Sequence, residues 1–230
     1  MVGNPQTLPP PEVGLLAKFA SIGIGPGKTP SKEAATNSTL NAALQAGITQ
    51  GEKLINAKIA NVGTFVNGWN VQPGYGIFGT NYLLRAATAK AGLGANAAIE
   101  ALYPVAFTDA SGKPLTGGTN YIMHFKPGQT PGVKGFWSIT AYNSTQRLVP
   151  NPINRYWIVE YTPGITYNKD GSLDIYIQPQ SPGQAKQNNW LPTPTNNQPF
   201  NLNFRMYWPD QQIINGTWSP PAVQRANATG

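Results

Sequence analysis

The 230-residue chain contains no cysteine. That absence excludes disulfides, thiolate nucleophiles, iron–sulfur clusters and cysteine zinc sites together. Charge is scarce too: Asp, Glu, Lys and Arg make up 11% of the chain, against about 25% in an ordinary soluble domain. There are 9 acidic residues and 1 histidine, so paired-carboxylate or multi-histidine chemistry has little material to work with. No apolar run approaches the ~18 residues of a membrane-spanning helix, so no transmembrane segment is expected. Met1–Pro11 has neither the basic nor the apolar region of a secretory signal and reads as a mature, truncated or cytoplasmic start. What is plentiful is punctuation: 25 Gly and 22 Pro interrupt the sequence without repeating. The composition is that of a folded, turn-rich chain, polar without being charged, and not of a coiled coil, a collagen or a disordered tail.

The net charge of +7 arises mainly because acids are few. The Lys and Arg residues are spread thinly, with no run of five or six. This argues against a specific nucleic-acid site, since diffuse charge attracts polyanions only weakly.

Periodicity divides the chain. Glu12–Ile22 is a short amphipathic stretch ended by the glycines of 23–27. Leu40, Leu44, Ile48, Ile55, Ile59, Val62 and Val66 form one apolar stripe at three- and four-residue steps, which predicts a long helix that must pack against something. Thr80–Ala91 is a third helix, bounded by Gly79 and Gly92. From about Leu102 the period becomes two. Tyr103–Thr108, Tyr121–Lys126, Phe136–Tyr142, Trp157–Thr162, Leu173–Gln178 and Asn201–Trp208 read as strands separated by Gly, Pro and Asn turns. Pro179–Pro199 is too rich in Pro, Gln and Asn for a strand and reads as a long ordered loop. The expected fold is mainly β with an α-helical amino-terminal part: an antiparallel β-sandwich or jelly roll preceded by about three helices. The expected division is a helical connector region over 1–99 and the sandwich over 100–230.

Few residues are equipped for acid–base chemistry. Glu12, Glu33 and Glu52 fall on helices, while Asp109, Asp170 and Asp210 suit turns. Glu160 and Asp174 are placed mid-strand. Alternation puts His124 opposite Tyr121, Met123 and Phe125. His124, Glu160 and Asp174 are the candidate acid or base groups, each also readable as an outward strand residue. No Gly-x-Ser-x-Gly elbow accompanies His124. Gly23-Ile24-Gly25-Pro26-Gly27-Lys28 lacks phosphate-loop spacing, and Gly92-Leu93-Gly94 closes a helix instead of opening one. No metal or other cofactor is expected. Asn37, Asn143, Asn215 and Asn227 begin Asn-x-Ser/Thr triplets that are candidates for glycosylation, although an Asn-rich chain also produces such triplets by chance.

Several motifs occur in order: Asn120–Lys126, Phe136–Tyr142, Asn151–Tyr156, Asp170–Gln178, Ser181-Pro182-Gly183, Asn189-Trp190-Leu191-Pro192, Arg205-Met206-Tyr207-Trp208-Pro209 and Gly216-Thr217-Trp218-Ser219-Pro220-Pro221. Together they resemble the domain of unknown function 1214 over about residues 100–225. Ala17–Gly27, Val66-Asn67-Gly68-Trp69 and Tyr82–Gly94 are similar to the connector that precedes that domain in longer bacterial proteins. The resemblance implies a β-sandwich and a companion first domain of the unknown-function 1254 type, missing here. The chain is therefore expected to be a fragment or a short form, partnered by that domain or by copies of itself. An extracellular or periplasmic location follows from the resemblance, with the cytoplasm left open.

No catalytic residue carries over from the family. Tyr142, Asn151, Asn154, Arg155 and Trp190 are the candidate ligand-facing set, being polar or aromatic and sited at strand ends and loops. Arg155 stands out: its guanidinium suits an anionic or carbonyl group, or else it locks the loop through Glu160 or Asp174. The expected function is binding of a sugar-like or lipid-like ligand, with hydrolysis left open. The alternative is a structural or assembly protein that forms homo-oligomers or extracellular filaments without catalysis.

Overall fold

In the computed structural model, which describes residues 10–226, the chain forms two units that interleave in sequence. Of the described residues, the helical unit takes 10–61 together with 78–93, and the β unit takes 62–77 and 94–226. A single cut between residues 99 and 100 therefore does not describe the division, because a short hairpin belongs with the strands.

The helical unit contains α1 (Pro10–Ala20), α2 (Pro30–Ala35), α3 (Ser38–Ala60) and α4 (Tyr82–Ala91). Two of these have side-chain caps: Asn37 Oδ1 accepts from the Leu40 N–H at 3.0 Å, and Asn81 Oδ1 from the Leu84 N–H at 3.1 Å. Each cap satisfies one of the unpaired donors at a helix start. The apolar stripe predicted to run to Val66 stops early, because α3 ends at Ala60. Gly63 adopts φ +91°, and residues 64–66 become a strand. Val62 and Val66 continued the helical spacing by coincidence. None of the 23 residues of α3 is buried.

The β unit contains β1 (Thr64–Val66), β2 (Trp69–Val71), β3 (Ala101–Leu102), β4 (Val105–Ala106), β5 (Tyr121–Phe125), β6 (Trp137–Asn143), β7 (Trp157–Val159), β8 (Leu173–Gln178), β9 (Trp190–Pro192), β10 (Phe200–Tyr207), the short helix α5 (Gln211–Ile214) and β11 (Val223–Arg225). One seven-stranded sheet runs β1-β2-β4-β10-β6-β7, with β3 also paired to β10; a four-stranded sheet runs β11-β5-β8-β9. All pairings are antiparallel except β8–β9. The protein is thus a mixture of amino-terminal helices and largely antiparallel sheets.

Three predicted elements differ in detail. Tyr103–Thr108 is not one strand: Pro104, which has no N–H to give a ladder, separates β3 from β4. Trp157–Thr162 shortens to β7 because Thr162 folds back, its hydroxyl accepting from the Val159 N–H at 2.9 Å. Glu160 therefore sits in a turn and not mid-strand. The stretch 179–199 is not all loop: a 3-10 turn over Gln184–Asn189 delivers β9 to the sheet edge, where Pro192 is tolerated.

Alternate residues of both sheets meet in one core. Met123, Phe125, Ile175 and Ile177 come from the four-stranded sheet, and Trp137, Ile139, Leu202, Phe204 and Met206 from the seven-stranded one. Phe125 lies 6.1 Å from Phe204 and 5.8 Å from Trp137, centroid to centroid. Burying each such side chain contributes about 1.5–3 kcal/mol. Trp69 joins this core and donates its indole N–H to the Pro221 carbonyl at 2.8 Å, tying the β1–β2 hairpin to the carboxyl-terminal segment.

Candidate functional site

The inward residues of β10 are Phe200, Leu202, Phe204 and Met206, so strand alternation turns Asn203, Arg205 and Tyr207 outward. On the neighbouring strand β6, Arg205 stands opposite Ser138 and Asn203 opposite Thr140; on the far side of β6, Thr140 stands opposite Trp157. Register thus gathers a guanidinium, two hydroxyls and aromatic rings on the outer face of the seven-stranded sheet. They line a trough of about 410 Å³ walled by Phe136, Tyr142, Trp157, Tyr161 and Tyr207. Phe136 and Tyr207 stack at 4.6 Å, and Tyr161 meets Phe136 edge-on at 5.9 Å. Trp157 and Tyr161 are 51% and 65% exposed, which leaves ring faces available to solvent.

The floor is held rigidly. Arg205 donates from Nη1 to Thr140 Oγ1 at 2.9 Å and from Nη2 to the Tyr142 hydroxyl at 2.8 Å, and its guanidinium carbon lies 5.5 Å from the Tyr142 ring centre. No carboxylate or histidine lines the trough. Beside it, burial pushes the Tyr103 phenol above its ordinary pKa, with Tyr207 adding to that effect and Arg205 opposing it.

The predicted ligand-facing residues are not brought together. Tyr142 alone reaches the trough. Trp190 is buried and donates its indole N–H to the Gln178 carbonyl at 2.7 Å. Arg155 pairs with neither Glu160 nor Asp174; its Nη1 donates to the backbone carbonyls of Gln187 and Trp190, the latter at 3.2 Å, so it fastens the 3-10 turn and the start of β9. Burial lowers the Arg155 pKa from its ordinary value. Asn151 braces the same loop, donating to the Val149 and Arg155 carbonyls at 3.0 and 2.8 Å and accepting from the Arg155 N–H at 3.0 Å. Asn154 takes φ +50° and accepts from the Tyr156 hydroxyl at 3.3 Å.

His124 and Asp174 face each other across β5 and β8, with Nδ1 and Oδ1 2.6 Å apart. Asp174 Oδ2 also accepts from Asn168 Nδ2 at 2.9 Å. His124 borders a separate cavity of about 240 Å³ that includes Lys126, Gln129 and Trp218. Glu160 joins neither group, and burial raises its pKa. Among the described residues no three His, Cys, Asp or Glu side chains come close enough to hold a metal ion. No described helix is long and apolar enough to cross a membrane.

The most strongly perturbed carboxylate, Asp109, is structural. Asp109 is buried and accepts from the Ser111 N–H and hydroxyl, the Lys113 N–H and Arg225 Nε, the last at 2.6 Å. Burial is the largest single influence and pushes the carboxyl up. The Arg225 bond, the Ser111 hydroxyl and the two backbone donors together outweigh it and hold the group at about 2.

Of the glycosylation triplets, Asn37 is the exposed cap of α3. Asn143 and Asn215 each accept from the hydroxyl two residues on, at 2.8 Å. Asn227 lies outside the described residues.

Arg205, Trp157, Tyr161 and Tyr207 were not singled out as site residues by sequence reasoning. The available signal was the alternation in Asn201–Trp208, which places Arg205 and Tyr207 opposite the apolar face.

Residues 100–211 match the family described as "Protein of unknown function (DUF1214)", and the match supports placing that segment in the family. No curated protein matches the sequence. Among solved structures, the VPA0106 protein from Vibrio parahaemolyticus is similar, with 26% identity and a TM-score of 0.67 over 93% of this chain and 51% of its own. The chain thus spans about half the length of that protein. An uncharacterised protein from Burkholderia cenocepacia is matched at 14% identity and a TM-score of 0.42, over 70% of this chain and 34% of its own.

Proposed function

We propose that the β unit is a two-sheet sandwich whose outer trough binds a sugar-like ligand. The observation that carries this reading is the ring of Phe136, Tyr142, Trp157, Tyr161 and Tyr207 around one anchored guanidinium. Aromatic faces stack on the C–H faces of a sugar ring, and fixed polar groups orient its hydroxyls. A volume of about 410 Å³ suits one or two such rings. The reading is binding and not hydrolysis, because glycoside cleavage in its usual form needs two carboxyl groups at the bond and the trough walls supply none. The sheet, being hydrogen-bonded throughout, gives these side chains a rigid base.

The test is titration of the protein with a panel of neutral and acidic oligosaccharides, followed by tryptophan fluorescence and calorimetry. Each exposed ring is worth about 1 kcal/mol of stacking, so the Trp157→Ala/Tyr161→Ala pair should weaken Kd about 30-fold and leave the melting temperature unchanged. Binding undiminished in that variant, or no saturable binding of any sugar by the unaltered protein, refutes the proposal.

A second reading, assembly with a partner, has its own support. α3 presents no buried residue over its whole length, and Ile48 and Leu54 are 60% and 48% exposed. A helix normally buries an apolar stripe, so this one suits a companion domain or a second copy of the chain. Sedimentation velocity decides it: a strictly monomeric protein removes the self-association form of this reading.

A further inference from the structure

The charge of Arg205 has no counterpart within the described chain. Among the described residues its guanidinium makes two hydrogen bonds, both to neutral oxygens, on Thr140 and Tyr142, and it joins no salt bridge. Yet it is half-buried, at the centre of a strand pair, under a concave surface walled by rings. A guanidinium has five N–H donors in a planar fork, and two bonds leave the others for a ligand. Those two bonds also hold the plane of the group, so its ordering has been met before a ligand arrives. Such a group fits a planar, singly charged acceptor with two oxygens better than it fits a neutral hydroxyl. A phosphate would draw on several basic groups, and Arg205 is the only Lys or Arg among the trough's lining residues.

We infer that the trough selects acidic sugars, with Arg205 receiving the carboxylate of a uronic-acid residue while Trp157 and Tyr161 stack on the ring and its neighbour. This rests on the sugar-binding reading above and adds the ligand's charge. The overall charge of +7 favours the same class of ligand through long-range attraction.

The experiment compares three probes by calorimetry at low ionic strength: a galacturonic acid trimer, the same trimer fully methyl-esterified, and glucose 6-phosphate. The ester keeps the ring and removes the charge. The acid should bind at least tenfold more tightly than the ester, and Arg205→Met should bring the acid down to the level of the ester. Arg205→Lys keeps the charge without the fork and should retain only a minor part of the preference. Tyr142→Phe loosens the guanidinium while sparing the ring, and it should narrow the preference even if the Arg205 variants fold poorly. Equal binding of acid and ester overturns this inference and leaves the sugar trough standing. No binding of either trimer overturns both. Tighter binding of the sugar phosphate overturns the carboxylate assignment.

Discussion

Replacing Asp109 with Asn removes a buried charge while keeping an oxygen that can accept from Ser111 and Lys113. The carboxyl sits at about 2, against 3.8 for the unperturbed group. At about 1.4 kcal/mol per pH unit this corresponds to about 2–3 kcal/mol. Arg225 is 44% exposed, so solvent screening reduces the figure to ~2 kcal/mol. The direction is set by linkage. A carboxyl whose pKa is lower in the folded state stabilises fully above its unfolded pKa, and the contribution fades as pH falls from about 4 through about 2. Urea unfolding of the protein and of Asp109→Asn, followed by tryptophan fluorescence at neutral pH and at steps down to pH 2, measures it. The gap between the two proteins should be ~2 kcal/mol near pH 7 and should close progressively over the acid range. A gap that does not change with pH refutes the reasoning, because it would assign the loss to packing or strain and not to the charge.

Two more outcomes follow from the scaffold. Arg155→Met should destabilise the β unit by about 2 kcal/mol, since it leaves the Gln187 and Trp190 carbonyls without a charged donor. Thermal unfolding reads this, and oligosaccharide affinity should not change in parallel. Gly117→Ala should cost about 1–3 kcal/mol, because a Cβ there would press on the backbone carbonyl oxygens of Pro194 and Asn196; an unchanged melting temperature would show that this segment yields easily.

Some residues announce their place in the fold from the sequence alone, and others do not. Leu202, Phe204 and Met206 announced their shared face because a half-buried strand alternates, and the same alternation turned Arg205 outward. What surrounds Arg205 was not legible, since Ser138 and Thr140 come beside it only when β6 pairs with β10 in one register. Periodicity within a segment carries no information about which other segment lies alongside. Arg155 misled for a related reason: the groups it serves are backbone carbonyls, which every residue possesses and no side-chain pattern reveals. Strand β9 was concealed by its own composition, because Trp190-Leu191-Pro192 sits among Gln, Asn and Pro residues that belong to the turns on either side. His124 and Asp174 were both singled out, but their pairing rests on the β5–β8 register.

Strand order also dictates a timetable. β10 is the hub of the larger sheet, pairing with β3, β4 and β6, and its bond partner Ala106 on β4 precedes Leu202 by roughly a hundred residues. On the other sheet β5 waits a similar span for β11. At ordinary rates of synthesis that span takes about 5–20 s, during which β3 lacks the strand it pairs with and β4 has only β2 on one side. Non-local pairing of this kind makes folding slow, and partly made chains are prone to association at unpaired edges. β3 and β4 are only two residues each, and Pro104 between them has no N–H to offer a stray strand, so the edge they present while waiting is short.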